Sequence, residues 1–203
     1  MLVHRSRYDE AVDLAAEYAG QRIVGDPRDP ASDLGPLVSA ATYERVRGYI
    51  ELGEREGARV VAGGLNRDGL PATGYYVRPT VFADANNDMR IAREEIFGPV
   101  LTVIRYDTEE QAIAIANDSP YGLHGAVWAG DLDHAVAVAR RIKTGRVDVN
   151  GGELNLVAPF GGFKQSGNGR ELGVHGLQDF TELKAVQFPA GVSPASGGSS
   201  PAR

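Results

Sequence analysis

The stretch that decides the fold runs from Leu101-Thr102-Val103-Ile104-Arg105-Tyr106, through a helical pattern over Thr108–Ala116, to Gly125-Ala126-Val127-Trp128. It continues through a second helical pattern over Asp131–Ile142 and closes on Arg146-Val147-Asp148-Val149-Asn150. Thr108 and Gln111 have the spacing of a capping box, and Asp131 is a cap for a helix carrying Leu132, Ala135, Val136, Ala139 and Ile142, with Gly145 as its stop. The short apolar run at Gly125–Trp128 reads as a buried strand. Strand, helix, strand, helix, strand predicts an α/β fold with a largely parallel sheet, right-handed crossovers and flanking helices. In such sheets sites gather beyond the carboxyl ends of strands, which is where Asn150 and the loop after it fall.

Working outward, Leu2-Val3-His4 reads as the end of a strand, and Ser6 as the cap of a helix whose apolar positions Tyr8, Ala11, Val12, Leu14, Ala15, Tyr18 and Ala19 recur at helical spacing. Asp26–Pro36 is a loop, Ser39 opens a second helix carrying Tyr43, Val46 and Ile50, and Gly57 closes it. Arg59–Ala62 is a short strand; Tyr75–Phe82 is extended, with Pro79 marking an edge position or a break. On the far side, Gly176–Thr181 is a short helix or turn and Leu183–Phe188 a final strand. Pro189–Arg203 is Ser, Gly, Pro and Ala without apolar period and reads as a disordered tail.

Composition narrows the function. With 203 residues, 42% hydrophobic and 24% charged, the chain has the profile of a globular protein with a real core. A net charge of −6 and scattered basic residues argue against nucleic-acid binding. There is no cysteine, which excludes disulfides, thiolate metal sites and a thiol nucleophile within these residues. No apolar run approaches the roughly 20 residues of a membrane span, and Met1–Arg7 turns polar too early for a signal peptide. A cytoplasmic protein is expected.

Two stretches carry candidate chemistry. Ala158–Gly173 sets Gly161, Gly162, Gly167 and Gly169 around Phe160, Phe163, Lys164, Arg170 and Glu171, the composition of a loop that lines a site or of a long connector. Gly162 and Gly167 have phosphate-loop spacing, but Asn168 stands where a lysine is needed, and the dinucleotide fingerprint lacks its third glycine. The four histidines have no i,i+4 partner, so no metal site is expected, and no Gly-x-Ser-x-Gly elbow is present. In Glu94-Glu95-Ile96-Phe97-Gly98-Pro99-Val100 a carboxylate suited to two vicinal sugar hydroxyls precedes a ring suited to a planar heterocycle. The plain alternative is a solvated helix-start carboxylate beside a core phenylalanine.

Taken with Asn117-Asp118-Ser119-Pro120-Tyr121-Gly122-Leu123, and with Pro159–Glu171, that stretch resembles the NAD(P)-dependent aldehyde dehydrogenase superfamily in wording, order and spacing, from the first residues to about Phe188. The resemblance implies oxidation of an aldehyde with NAD or NADP as acceptor, through a cysteine thiolate and a glutamate-activated water. It places that cysteine, the general base and the nucleotide-binding half before residue 1. Residues 1–188 then correspond to a catalytic-domain-like region, and the chain alone is expected to be inactive and to bind cofactor weakly or not at all. By the same resemblance Glu95 holds the nicotinamide-ribose hydroxyls, Phe97 flanks the nicotinamide, Phe160 lines the aldehyde pocket, and Glu171 relays protons toward the general base. Lys164 and Arg170 fix the loop, and Gly151–Ala158, with Glu153 and Asn155, helps set substrate fit. The strand at Leu183–Phe188 matches an oligomerisation element, so a homo-oligomer is expected. The alternative is a non-catalytic module that pairs with a nucleotide-domain chain or with intact relatives. Exposed apolar surface around Phe97 and Phe160 is expected in either case.

Overall fold

In a computed structural model that describes residues 1–192, the two helical faces read from the sequence sandwich one sheet. The strands are β1 (Leu2–His4), β2 (Arg59–Ala62), β3 (Thr80–Ala85) and β4 (Val100–Tyr106), in the order β1-β4-β3-β2. β4 runs parallel to both β1 and β3; β2 is an antiparallel edge. Helix α1 (Tyr8–Gly20) covers one face, where Tyr8 and Val12 meet Val81, Ala83 and Val103. Helix α2 (Ala40–Arg55) covers the other, where Val46 and Ile50 meet Phe82, Ile91, Ile96 and Ile104. Alternate residues of β3 thus serve opposite layers, as a pleated strand requires. Asp84, at φ 58°, interrupts that alternation with a bulge and returns Ala85 to the Phe82 side.

The alternating stretch that decided the fold class divides. β5 (His124–Val127) and β6 (Arg146–Val149) pair in parallel with each other, joined by α5 (Leu132–Ala139), but as a separate two-stranded sheet. Helix α4 (Glu109–Asn117) joins β4 to this unit, and Arg141, just past α5, reaches back to pair with Glu110. The fold is α/β with mostly parallel pairing, in two sheets.

Several local expectations change. Ser6 does not cap α1: a 3-10 turn at Arg5–Arg7 intervenes, and the His4 side chain accepts from the Ser6 amide instead. Ser39, Thr108 and Asp131 do cap, accepting from Thr42, Gln111 and His134. The Gln111 side chain accepts from the Asp107 amide at 2.7 Å, one residue before the position a capping box uses. Pro79 marks a break, since β3 starts one residue later in the sheet interior. β5 is not a buried strand: its residues alternate between exposed and part-buried, with β6 as its one ladder partner among the described residues, and Trp128, just past its end, is 73% exposed. Gly173–Gln178 is helical and becomes α6. Leu183–Phe188 forms no ladder among the described residues; it is irregular and exposed, since a strand needs a partner edge. Pro189–Val192 closes a turn through a Val192 amide bond to the Pro189 carbonyl, and the rest of the expected tail lies outside the described residues.

Candidate functional site

Between Arg93, the end of the short helix α3 (Arg90–Arg93), and Val100, the start of β4, the chain makes a braced turn. Ile96 is buried against α2, and Gly98 presses on Val46 so closely that a Cβ there would lie 2.6 Å from a Val46 methyl. The tandem carboxylates separate. Glu94 accepts from Arg90 Nε at 2.7 Å, Arg90 Nη2 at 3.0 Å and Tyr49 Oη at 2.5 Å. The Arg90 guanidinium, then the Tyr49 hydroxyl, hold its pKa down to about 2. The Glu95 carboxylate takes no hydrogen bond or ion pair among the described residues and faces outward. Phe97, at φ 57°, presents a ring that is 69% exposed. Arg90, one helical turn earlier, and Tyr49, brought in by tertiary packing, therefore distinguish two adjacent glutamates: one is spent on structure, and the other has no partner among the described residues. The turn enters β4 at its amino-terminal end, not beyond a strand's carboxyl end.

The glycine loop is a second braced surface. Phe160 and Glu171 form an antiparallel bridge, each amide donating to the other's carbonyl at 2.8 and 2.6 Å. Phe160 is half-buried; the Glu171 side chain is exposed and borders an open groove of 680 Å³ with Leu177, Asp179 and Phe180. Lys164 Nζ donates to the carbonyls of Asn117 and Ser119 at 2.9 and 3.0 Å, and Arg170 Nη1 to those of Gly162 and Gly169 at 2.9 and 2.7 Å. Both cations are used to shape the loop. The Asn117–Leu123 motif is its fastener. The Asn117 side chain spans the Arg141 carbonyl and the Lys143 amide, and the Gly122 amide donates to Ser166 Oγ at 3.0 Å. The Asn150 side chain is held in place by Ala129, accepting from its amide and donating to its carbonyl, both at 2.9 Å, which leaves one N–H and one oxygen lone pair unused.

The structure thus brings Glu95 to Phe97 and Phe160 to Glu171, and the groove beside Glu171 is not lined by Glu95 or Phe97. Glu153 and Asn155 stay on the exposed loop surface. Among the described residues no metal-holding cluster occurs. Asp131 is committed to its cap and His134 pairs with Glu109 at 2.6 Å. No helix of the described residues is long and apolar enough to cross a membrane. The residues that sequence reading missed are Arg45, Tyr49 and Arg90, which hold the turn from outside its own motif. Arg90 had a local signal, its i,i+4 spacing to Glu94; Arg45 and Tyr49 had none beyond their places on α2.

A three-layer α/β unit with a braced carboxylate–aromatic turn before its central strand defines the class, and comparison with known proteins supplies the family. The aldehyde dehydrogenase family model matches residues 1–186. A 3-succinoylsemialdehyde-pyridine dehydrogenase from a Pseudomonas species is 50% identical over 187 residues, 92% of this chain and 39% of that protein. Geranial dehydrogenase of Castellaniella defragrans is 51% identical over 186 residues, 92% of this chain and 38% of that protein. A Mycobacterium tuberculosis aldehyde dehydrogenase complexed with NAD+ superposes with a TM-score of 0.90 at 49% identity, over 95% of this chain and 40% of that one. An aldehyde dehydrogenase mutant from Pseudomonas syringae, complexed with NAD+ and octanal, gives the same score and identity over 97% of this chain and 40% of that one. The chain belongs to the aldehyde dehydrogenase family. It spans about two fifths of the length of these relatives.

Proposed function

We propose that residues 1–188 form one wall of a site that oxidises an aldehyde with NAD or NADP. The observation that carries this reading is the turn at Glu94–Gly98. A free carboxylate and an outward ring stand two residues apart on a backbone braced from three sides, while the neighbouring glutamate is committed elsewhere. These residues fit the nicotinamide half of a dinucleotide: Glu95 accepts from ribose hydroxyls, and Phe97 gives the ring a flat apolar neighbour. When bound, the cofactor supplies a hydride acceptor. Phe160 excludes water from the aldehyde side, and Glu171, held across the bridge from it, passes protons behind the pocket. Because the sequence has no cysteine, no thiolate attack originates on these 203 residues, and the chain by itself is inactive. Binding of the cofactor to this chain alone is weak. We place the protein in the cytoplasm.

The test uses purified full chain with octanal and NAD+ and follows absorbance of the reduced cofactor. No turnover is expected from the chain alone. Turnover is expected once it is mixed with a separately expressed nucleotide-domain chain that carries the thiol. In that mixture Glu95→Gln raises the KM for NAD+ on the order of tenfold, the worth of a charge-assisted bond pair. NAD-dependent oxidation by the purified chain alone would sink the inactive-alone claim, and an unchanged KM would sink the role of Glu95.

A second reading rests on a different observation. Leu183, Val186 and Phe188 lie exposed along a segment without ladder partners among the described residues, just after Phe180 in the turn that ends α6. Such a segment adds to the sheet edge of another copy, or of a partner chain, and makes this chain an assembly module.

A further inference from the structure

Packing and ion pairing explain three of the anchors of the Glu94–Gly98 turn: Ile96 in the core, Gly98 against Val46, and Glu94 held by Arg90 and Tyr49. The fourth is Arg45, on the exposed side of α2. Its Nη2 donates to the main-chain carbonyl of Glu95, and its guanidinium carbon lies 5.9 Å from the centroid of the Phe97 ring and 5.5 Å from that of Tyr49. No carboxylate among the described residues pairs with it; the charge is spent on a carbonyl and two rings. Phe97 holds a left-handed φ of 57°, a conformation that persists for a bulky residue only where its surroundings over-determine it.

We infer that Arg45 is a positioning residue: by orienting the Glu95 carbonyl and capping the Phe97 ring, it holds Phe97 in its left-handed, outward pose. Resting on the proposed nicotinamide-facing role of this turn, the inference adds a reason for the choice of contact. A cation bound to the Glu95 carbonyl leaves the Glu95 carboxylate unpaired and available. Had it bridged the carboxylate, the ribose-facing oxygens would already be occupied. Charge alone does not achieve this, since one donor must reach the carbonyl while the planar group stays over the ring, which suits a guanidinium better than an ammonium.

Isotope-labelled full chain, free of nucleotide, provides the test. Backbone carbon shifts of Phe97, which report the left-handed conformation, and amide exchange over residues 95–98 are compared in wild type, Arg45→Ala, Arg45→Lys and the same-helix control Arg47→Ala. Arg45→Ala is expected to move the Phe97 shifts away from left-handed values and to speed exchange on the order of tenfold. Arg45→Lys is expected to do so in part, and Arg47→Ala not at all. Unchanged Phe97 shifts and exchange in Arg45→Ala overturn the inference. If far-UV circular dichroism shows that Arg45→Ala unfolds the chain, Arg45→Lys decides by the same readout, and unchanged values there overturn it. Because no nucleotide is present, failure of the NAD reading leaves this result standing. The NAD reading is judged separately, by the KM of the Glu95→Gln mixture.

Discussion

At the scale of single residues, the pair Glu94 and Glu95 shows how charge partners assign roles. Arg90 and Tyr49 hold the Glu94 carboxyl to about 2, below the ordinary glutamate value of 4.5. Folding therefore favours its ionised form. That contribution is complete above the ordinary value and is lost as pH falls through the window from 4.5 to about 2. Carboxyl carbon NMR is expected to show a Glu94 midpoint near the bottom of that window. Arg90→Ala should return it toward the ordinary value, because Arg90 is the largest cause. A wild-type midpoint at an ordinary glutamate value would contradict the tether.

At the scale of elements, β6 and the glycine loop meet at a point that admits no side chain. A Cβ on Gly145 would lie 1.6 Å from the Gly161 carbonyl oxygen, a backbone atom that cannot rotate away. Gly145 was read as a helix stop, yet α5 ends at Ala139, and the glycine serves the loop crossing instead. Gly145→Ala is expected to cost more than the roughly 1–3 kcal/mol of ordinary overpacking and to release residues 151–170 from β6. Gly130→Ala, where a Cβ meets nothing within 4 Å, should stay within about 0.5 kcal/mol of wild type. Thermal melts give the first comparison, and rates of limited proteolysis in the loop give the second. Equal proteolysis of the two variants would show that the crossing does not hold the loop.

For the whole molecule, the uneven distribution of apolar surface is the leading physical fact. The four-stranded sheet is covered on both faces, with Phe82 and Val103 fully buried. The β5–β6 unit and the residues after it are not: Trp128 is 73% exposed, Phe180 88% and Leu183 101%. Contiguous apolar surface of more than a few hundred Å² favours association. The chain is expected to self-associate in a concentration-dependent way and to bind a hydrophobic dye. Sedimentation velocity across a tenfold concentration range checks this, and a single monomer boundary throughout would refute it. Around the site the expectation divides: Phe97 is open, as foreseen, whereas Phe160 is half-covered by its own loop.

Periodicity and capping chemistry were enough, from the sequence alone, to determine the α/β class, the helices α1, α2, α4 and α5, most of their caps, and the three motifs that identify the family. These are local properties, set within one or two turns of chain. Tertiary structure alone decided that the parallel strands divide into two sheets, that Leu183–Phe188 pairs with nothing among the described residues, and that the Tyr49 hydroxyl, 45 positions away, joins the local Arg90 pair on Glu94. It also brought Arg45, some 50 positions away, to the Glu95 carbonyl. Each of these depends on which surfaces meet at long range, and hydrophobic pattern shows which face of an element is buried but not which neighbour buries it.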